Sequence, residues 1–168
     1  MSHLEFPNLS HKQSYLEMMG EWREAGEEII PSRLVGWEED FQWFISLLEQ
    51  EITDNKNGVN SHLFFLMENG RIHWTIQIRH HINHPNLIET GGHIGYGIRP
   101  SERGEWYGAQ MVALALQEAK KIGLEKVLIT CYDDNLWSRW VIEKNGGIFE
   151  RFVLQDGRKK RRYWIALD

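Results

Sequence analysis

Cysteine is almost missing from this chain: Cys131 is the single one among 168 residues. One thiol excludes an internal disulfide framework and suits a reducing compartment. Long apolar runs are missing too. No stretch reaches the roughly 18 residues that a membrane-spanning helix needs. The N-terminus lacks the apolar centre of a signal peptide. Nor is there an excess of basic residues. The net charge is −5, which argues against nucleic acid as the main partner. With four prolines and no low-complexity tract, most of the chain is open to regular structure. These absences predict a soluble, cytoplasmic protein without a membrane partner. The length fits a single domain over residues 1–168 with one full core.

What is present reads in order. Ser10-x-x-Gln13 fits a capping box. Tyr15, Met18, Met19 and Trp22 follow at helical spacing, and Gly26 is placed to stop that helix. Phe41, Phe44, Ile45, Leu48 and Ile52 mark a second amphipathic helix. Leu63–Met67 is apolar, and Glu68-Asn69-Gly70 signals a hairpin turn. Ile72, Trp74, Ile76 and Ile78 then alternate with polar residues, the mark of a strand. A connection over 80–92 leads to a strand at 93–98. A helix is predicted over about Tyr107–Ile122, stopped by Gly123. A strand at Lys126–Cys131, a helix at Asn135–Asn145 and a hairpin turning at Asp156-Gly157 complete the chain. This order predicts an α/β layered domain whose mixed, mostly antiparallel sheet is flanked by helices.

The segment from Gly92 to Ala109 carries the chemistry. A strand runs into a glycine-containing turn, which opens a long apolar helix. That layout aims backbone N–H groups and the positive helix end at one point, as a phosphate cradle does. A ligand bearing phosphate is therefore expected.

The turn Arg103-Gly-Glu-Trp106-Tyr-Gly108 and the later Asn135-Leu-Trp-Ser138…Glu143-Lys144-Asn-Gly146 together resemble the GNAT-type N-acetyltransferases, which use acetyl-CoA. The resemblance implies a GNAT-like fold. It also implies a pyrophosphate bound by the backbone of Arg103, Gly104, Glu105, Trp106, Tyr107, Gly108 and Ala109. The strands 93–98 and 126–131 are expected to splay beyond Ile98, leaving the Ile98 amide to pair with the cofactor arm and polarise its thioester carbonyl. Asn135 and Ser138 are expected to contact the same arm. The acceptor implied is the amine of a small molecule or peptide, and pairing of two copies through an edge strand is known in such folds.

The sequence departs from the family in three places. Trp106 stands where the family has its first motif glycine. Gly92 stands where many members carry a glutamate base, and Ile142 where many carry a tyrosine acid. His93 and Glu89 are the nearest substitutes for the base, and Tyr96 and Tyr132 for the acid. Trp106, Trp137 and Trp140 form either an aromatic wall for a ligand or ordinary core packing.

Other features have two readings each. His80-His81-x-x-His84 sits in a predicted loop with no companion ligands at metal spacing, so no metal is expected and substrate contact is favoured. Arg158 to Arg162 reads as a solvated hairpin tip or as an attraction for an acidic substrate. Glu27, Glu28, Glu38, Glu39 and Asp40 are exposed helix ends or a seat for a cationic amine. Cys131 reads as structural.

Overall fold

The structure, a computed structural model, describes residues 1–56, 58–104 and 108–168. The chain divides into two units, one made of residues 1–77 with 95–105 and the other of 78–94 with 106–168.

The first unit holds β1 (His3–Glu5), α1 (Lys12–Ala25), α2 (Phe41–Glu51), β2 (Ser61–Glu68) and most of β3 (Arg71–Arg79) and β4 (Ile94–Ile98). These strands form a sheet in the order β1-β2-β3-β4, with β1 antiparallel to β2. The β2–β3 turn puts Asn69 and Gly70 at positive φ, 51° and 73°, the signature of a tight two-residue hairpin. Tyr15, Met18, Met19 and Trp22 of α1 meet Phe41, Phe44, Ile45 and Leu48 of α2 and Leu63, Phe65, Met67 and Ile72 of the sheet. Burying side chains of this size contributes about 1.5–3 kcal/mol each. The Tyr15 hydroxyl donates to the Leu34 carbonyl, which satisfies its one polar atom.

The cap of the first helical segment differs from expectation. Asn8, not Ser10, takes the capping role: its side chain accepts the Ser10 N–H, and its own N–H reaches the His11 ring. Gln13 instead bonds Glu17 on the helix surface. The alternation on β3 also hides a second buried face, since His73 and Thr75 are buried along with their apolar neighbours.

The second unit holds α3 (Gly108–Ile122), β5 (Lys126–Tyr132), α4 (Leu136–Lys144), β6 (Ile148–Gln155) and β7 (Arg158–Ala166), preceded by a π-helical turn at Leu87–Gly91. Its sheet runs β5-β7-β6, antiparallel throughout. The expected stop of α3 is met, with Gly123 at φ 102°, and Asn135 caps the start of α4 by accepting the Ser138 N–H.

The basic run Arg158–Arg162 opens strand β7 just past the Asp156-Gly157 turn: Arg158 and Lys159 are exposed beside the tip, but the run ends buried at Arg162. Arg162 is buried because its charge is met: Glu150 accepts from Nε at 2.7 Å, and the Ile88 and Glu89 carbonyls accept from Nη1. Arg161 pairs with Asp133 at 2.5 Å. Among the described residues no helix is long and apolar enough to cross a membrane.

Candidate active site

In the first unit the geometry centres on β4, which ends its sheet order. The Arg99 N–H donates to the His73 carbonyl at 3.0 Å, so Arg99 faces its bonding groups toward β3. In an antiparallel ladder neighbouring residues alternate. Ile98 therefore directs its N–H and carbonyl away from β3, toward the outer edge of the sheet. Its side chain is half-buried, as is that of Tyr96, whose ring lies 6.2 Å from that of Trp74.

Gly97, between them, is required by a close approach. A Cβ there would lie 1.9 Å from the Ile30 carbonyl oxygen. That carbonyl also accepts the Thr75 hydroxyl at 3.0 Å. The segment after α1 is thus seated on β3 and β4 beside Ile98.

Four charged residues fix the chain just beyond Ile98. Arg99 is 1% exposed. Its Nε and Nη2 donate to Glu21 at 2.8 and 2.7 Å, and Nη1 reaches Ser14 Oγ and the Ile72 carbonyl at 3.4 Å. The other Glu21 oxygen accepts the Ser101 N–H at 3.1 Å. Arg71 adds contacts to Glu21, to Glu102 at 2.8 Å and to Ser101 Oγ at 2.8 Å. Burial would raise the Glu21 pKa, but the hydrogen bonds and charge of Arg99 and the Ser101 contacts outweigh it and hold the carboxyl at about 2. None of this network carried a motif signal.

Arg103, which opens the motif turn, forms a two-pronged pair with Glu27, at 2.7 and 2.5 Å. Gly104 has φ 84°. Glu105, Trp106 and Tyr107 lie outside the described residues. Two of the other acidic candidates have local duties: Glu38 pairs with Arg23, and Asp40 caps α2 through the Trp43 N–H.

In the second unit Gly108 begins α3, and a Cβ there would lie 2.4 Å from the Trp137 ring. Trp137 thus packs on the first turn of α3, while Trp140 is 46% exposed. Ala109 accepts Asn145 Nδ2 at 3.0 Å, tying the end of α4 to the start of α3. Asn135 is exposed at its cap position, whereas Ser138 is buried against the Cys131 thiol. Burial pushes that thiol up to about 11, despite the Ser138 hydrogen bond.

His93 is buried, and its Nδ1 accepts the Leu128 N–H at 2.9 Å. Desolvation, with Arg79, His81 and Lys126 nearby in charge, lowers its pKa to about 4. The neutral ring then carries its proton on Nε2, and Nδ1 is committed to the backbone. Glu89 lies on the π-helical turn, about half exposed, with its carboxylate 3.1 Å from Arg151. Arg79 donates to the Gly92 carbonyl at 3.0 Å, and Lys160 and Thr130 donate to that of Thr90, so this turn is clamped at its end. His81 and His84 accept from the N–H groups of Asn83 and Asn86 in local turns. Among the described residues no cluster of His, Cys, Asp or Glu is placed to hold a metal ion.

An acetyltransferase (GNAT) domain model matches residues 8–148. No curated protein sequence matches the chain. Solved acetyltransferases share its fold at low identity. The microcin self-immunity acetyltransferase MccE, in complex with acetyl-CoA and AMP, is 19% identical with a TM-score of 0.65, covering 98% of this chain and 92% of that one. An acetyl transferase from Salmonella typhimurium that modifies the N-terminal serine of a ribosomal subunit protein is 14% identical with a TM-score of 0.67, covering 99% and 95%. Mutant forms of the spermidine/spermine N-acetyltransferase SpeG from Vibrio cholerae are 14% identical with a TM-score of 0.66, covering 99% and 95%. At such identities these likenesses speak for the fold: α/β, with antiparallel sheets flanked by helices.

Proposed function

The chain belongs to the GNAT acetyltransferase family, and we propose that it moves an acetyl group from acetyl-CoA to the primary amine of a small molecule or peptide by direct attack. The family match over residues 8–148 carries this reading. The outward-facing backbone of Ile98 supports it, because an edge strand with directed N–H and carbonyl groups suits the amide-bearing arm of CoA. Acetyl-CoA would supply the activated thioester. The Ile98 N–H donates to the thioester oxygen and holds the charge that gathers there during attack. The backbone from Arg103 to Ala109 takes the pyrophosphate, and the exposed Asn135 contacts the arm, with Ser138 buried beneath it against Cys131.

The amine nitrogen bonds to the acetyl carbon, the carbon–sulfur bond breaks, and the nitrogen loses a proton. Of the base candidates, His93 would have to give up the Leu128 N–H to accept that proton on Nδ1. Glu89, reached by solvent, is the better acceptor, through water. The Tyr96 phenol is placed on β4 as the candidate to return a proton to the departing thiolate. Positioning supplies most of the rate.

Trp106 in place of the motif glycine favours one second reading, a module that binds CoA without turnover. Calorimetric titration with acetyl-CoA, followed by thiol release across an amine panel, tests both. Binding with turnover supports transfer. Binding with no turnover for any amine supports the module. If neither the native chain nor Trp106→Gly binds, the acetyl-CoA reading is lost.

A further inference from the structure

A buried arginine needs a reason for its place. Arg99 occupies the residue after the Ile98 amide, and it is among the largest fully buried side chains of the molecule. Burying a guanidinium costs several kcal/mol unless its donors are met. A stretch that served only to link two elements would be cheaper with an apolar residue here.

The partners of Arg99 explain what that cost secures. Every residue from 99 to 102 with a free N–H or a polar side chain is held by α1 or β3. The Arg99 N–H goes to His73, and its side chain goes to Glu21, Ser14 and Ile72. The Ser101 N–H goes to Glu21, and its hydroxyl accepts from Arg71. Glu102 takes Arg71 on one oxygen and lies 3.2 Å from His73 Nδ1 on the other. Pro100, which has no N–H, is the exception. Glu21 is the hub. One of its oxygens meets Arg99 and Arg71, and the other meets the backbone of Ser101. It stands on α1, 78 positions from Arg99 in sequence, so no local preference places it there.

We propose that Glu21 is a positioning residue for acetyl-CoA: through Arg99 and Ser101 it sets the path of residues 99–102, and so the spacing between the Ile98 amide and the Arg103–Gly104 turn. This rests on the function proposed above. A thioester arm and a pyrophosphate are joined covalently, so the groups that receive them must keep a fixed separation. A run tied at three of its four positions keeps it; a loosely held loop would not. The plainer alternative is a charge cluster that stabilises the unit and does nothing for the ligand.

The test compares Glu21→Gln with the native chain by calorimetric CoA titration and by hydrogen exchange with and without CoA. Gln keeps the shape and loses the charge. The expected result is CoA binding weakened about tenfold, the loss of one charge-assisted contact set. Faster amide exchange should be confined to residues 99–104. Unchanged affinity overturns the proposal. So does weakened affinity accompanied by faster exchange throughout residues 1–77, since that is the mark of a purely stabilising cluster. Should Glu21→Gln fail to fold, Arg71→Gln is read by the same two criteria, because Arg71 is partly exposed and holds Ser101 and Glu102 directly. Absence of CoA binding by the native chain would instead overturn the acetyl-CoA reading beneath, an outcome visible before any variant is made.

Discussion

His93 grips Leu128 from both sides. Its ring Nδ1 accepts the Leu128 N–H at 2.9 Å, and its own N–H donates to the Leu128 carbonyl at 2.8 Å. A side chain that replaces one backbone bond while its main chain makes the next is acting as part of the sheet. The ring is shielded from water, which favours the neutral form, and nearby positive charge adds to the effect.

The first prediction follows. His93→Asn, whose amide oxygen can take the place of Nδ1, should keep most of the stability and any activity. His93→Ala leaves a buried N–H without an acceptor and should cost about 1–3 kcal/mol in unfolding free energy. The sign of the pH effect is also set. The folded pKa, about 4, lies below the usual 6.5, so the unfolded chain binds the extra proton first. The stability gained by keeping the ring neutral is complete above 6.5 and is lost as pH falls from 6.5 toward 4. Ring proton shifts in an NMR titration should stay flat through 6.5. A midpoint near 6.5 would contradict the burial argument.

Ile98 offers a cleaner substitution than backbone groups usually allow. Its N–H points away from β3, so proline at 98 removes no bond from the β3–β4 ladder. If that N–H holds the thioester oxygen, Ile98→Pro should lower kcat by about 10²–10³. The unfolding midpoint should change little. An equal loss in Ile98→Ala would show that packing, not the amide, is responsible.

Gly97 tests the seating of the segment after α1. An added Cβ meets the Ile30 carbonyl oxygen at 1.9 Å and the Trp22 ring at 3.1 Å. The first neighbour is backbone and cannot swing aside. Gly97→Ala should destabilise by about 1–3 kcal/mol, as overpacking does. Thermal unfolding at fixed pH would measure it. A loss within about 0.5 kcal/mol, typical of a surface change, would mean that the segment yields freely.

How much of this was legible depends on the range of the interaction. The Asn69-Gly70 turn and the Gly123 stop are local, set by residues within a turn of each other, and both were readable in the sequence. The first cap was misread by two positions because Asn8 and Ser10 are both good capping residues, and only the backbone shows which one is used. The inner end of the basic run at 158–162 departs from the expected solvated tip because what buries Arg162 comes from Glu150, Ile88 and Glu89. Charge composition cannot reveal partners that far away. Glu21 and Arg99 were missed for the same reason, while the family-wide turn beside them stood out because its glycines fall close together.

Glu21 also makes a pH prediction. Its folded pKa of about 2 lies below the ordinary 4.5. A lowered carboxyl contributes stability that is complete above 4.5 and is lost as pH falls through the folded value. Unfolding midpoints of the native chain and Glu21→Gln should therefore differ at neutral pH and converge between about 4.5 and 2. A gap that stays constant over that window would assign the difference to shape, not charge.

The pair of Arg103 with Glu27 sets the last expectation. Both side chains are close to half exposed, so the pair itself adds little to folding, and Glu27→Gln should leave the unfolding midpoint almost unchanged. Its effect belongs to ligand binding. Arg103 opens the turn proposed for pyrophosphate, and a carboxylate already occupies its guanidinium. A phosphate must displace that carboxylate or bear its repulsion. Removing the charge should tighten CoA binding severalfold at low salt, and the gain should shrink as salt screens the pair. Weaker binding in Glu27→Gln would mean the opposite arrangement, in which Glu27 holds Arg103 in the geometry that the ligand needs.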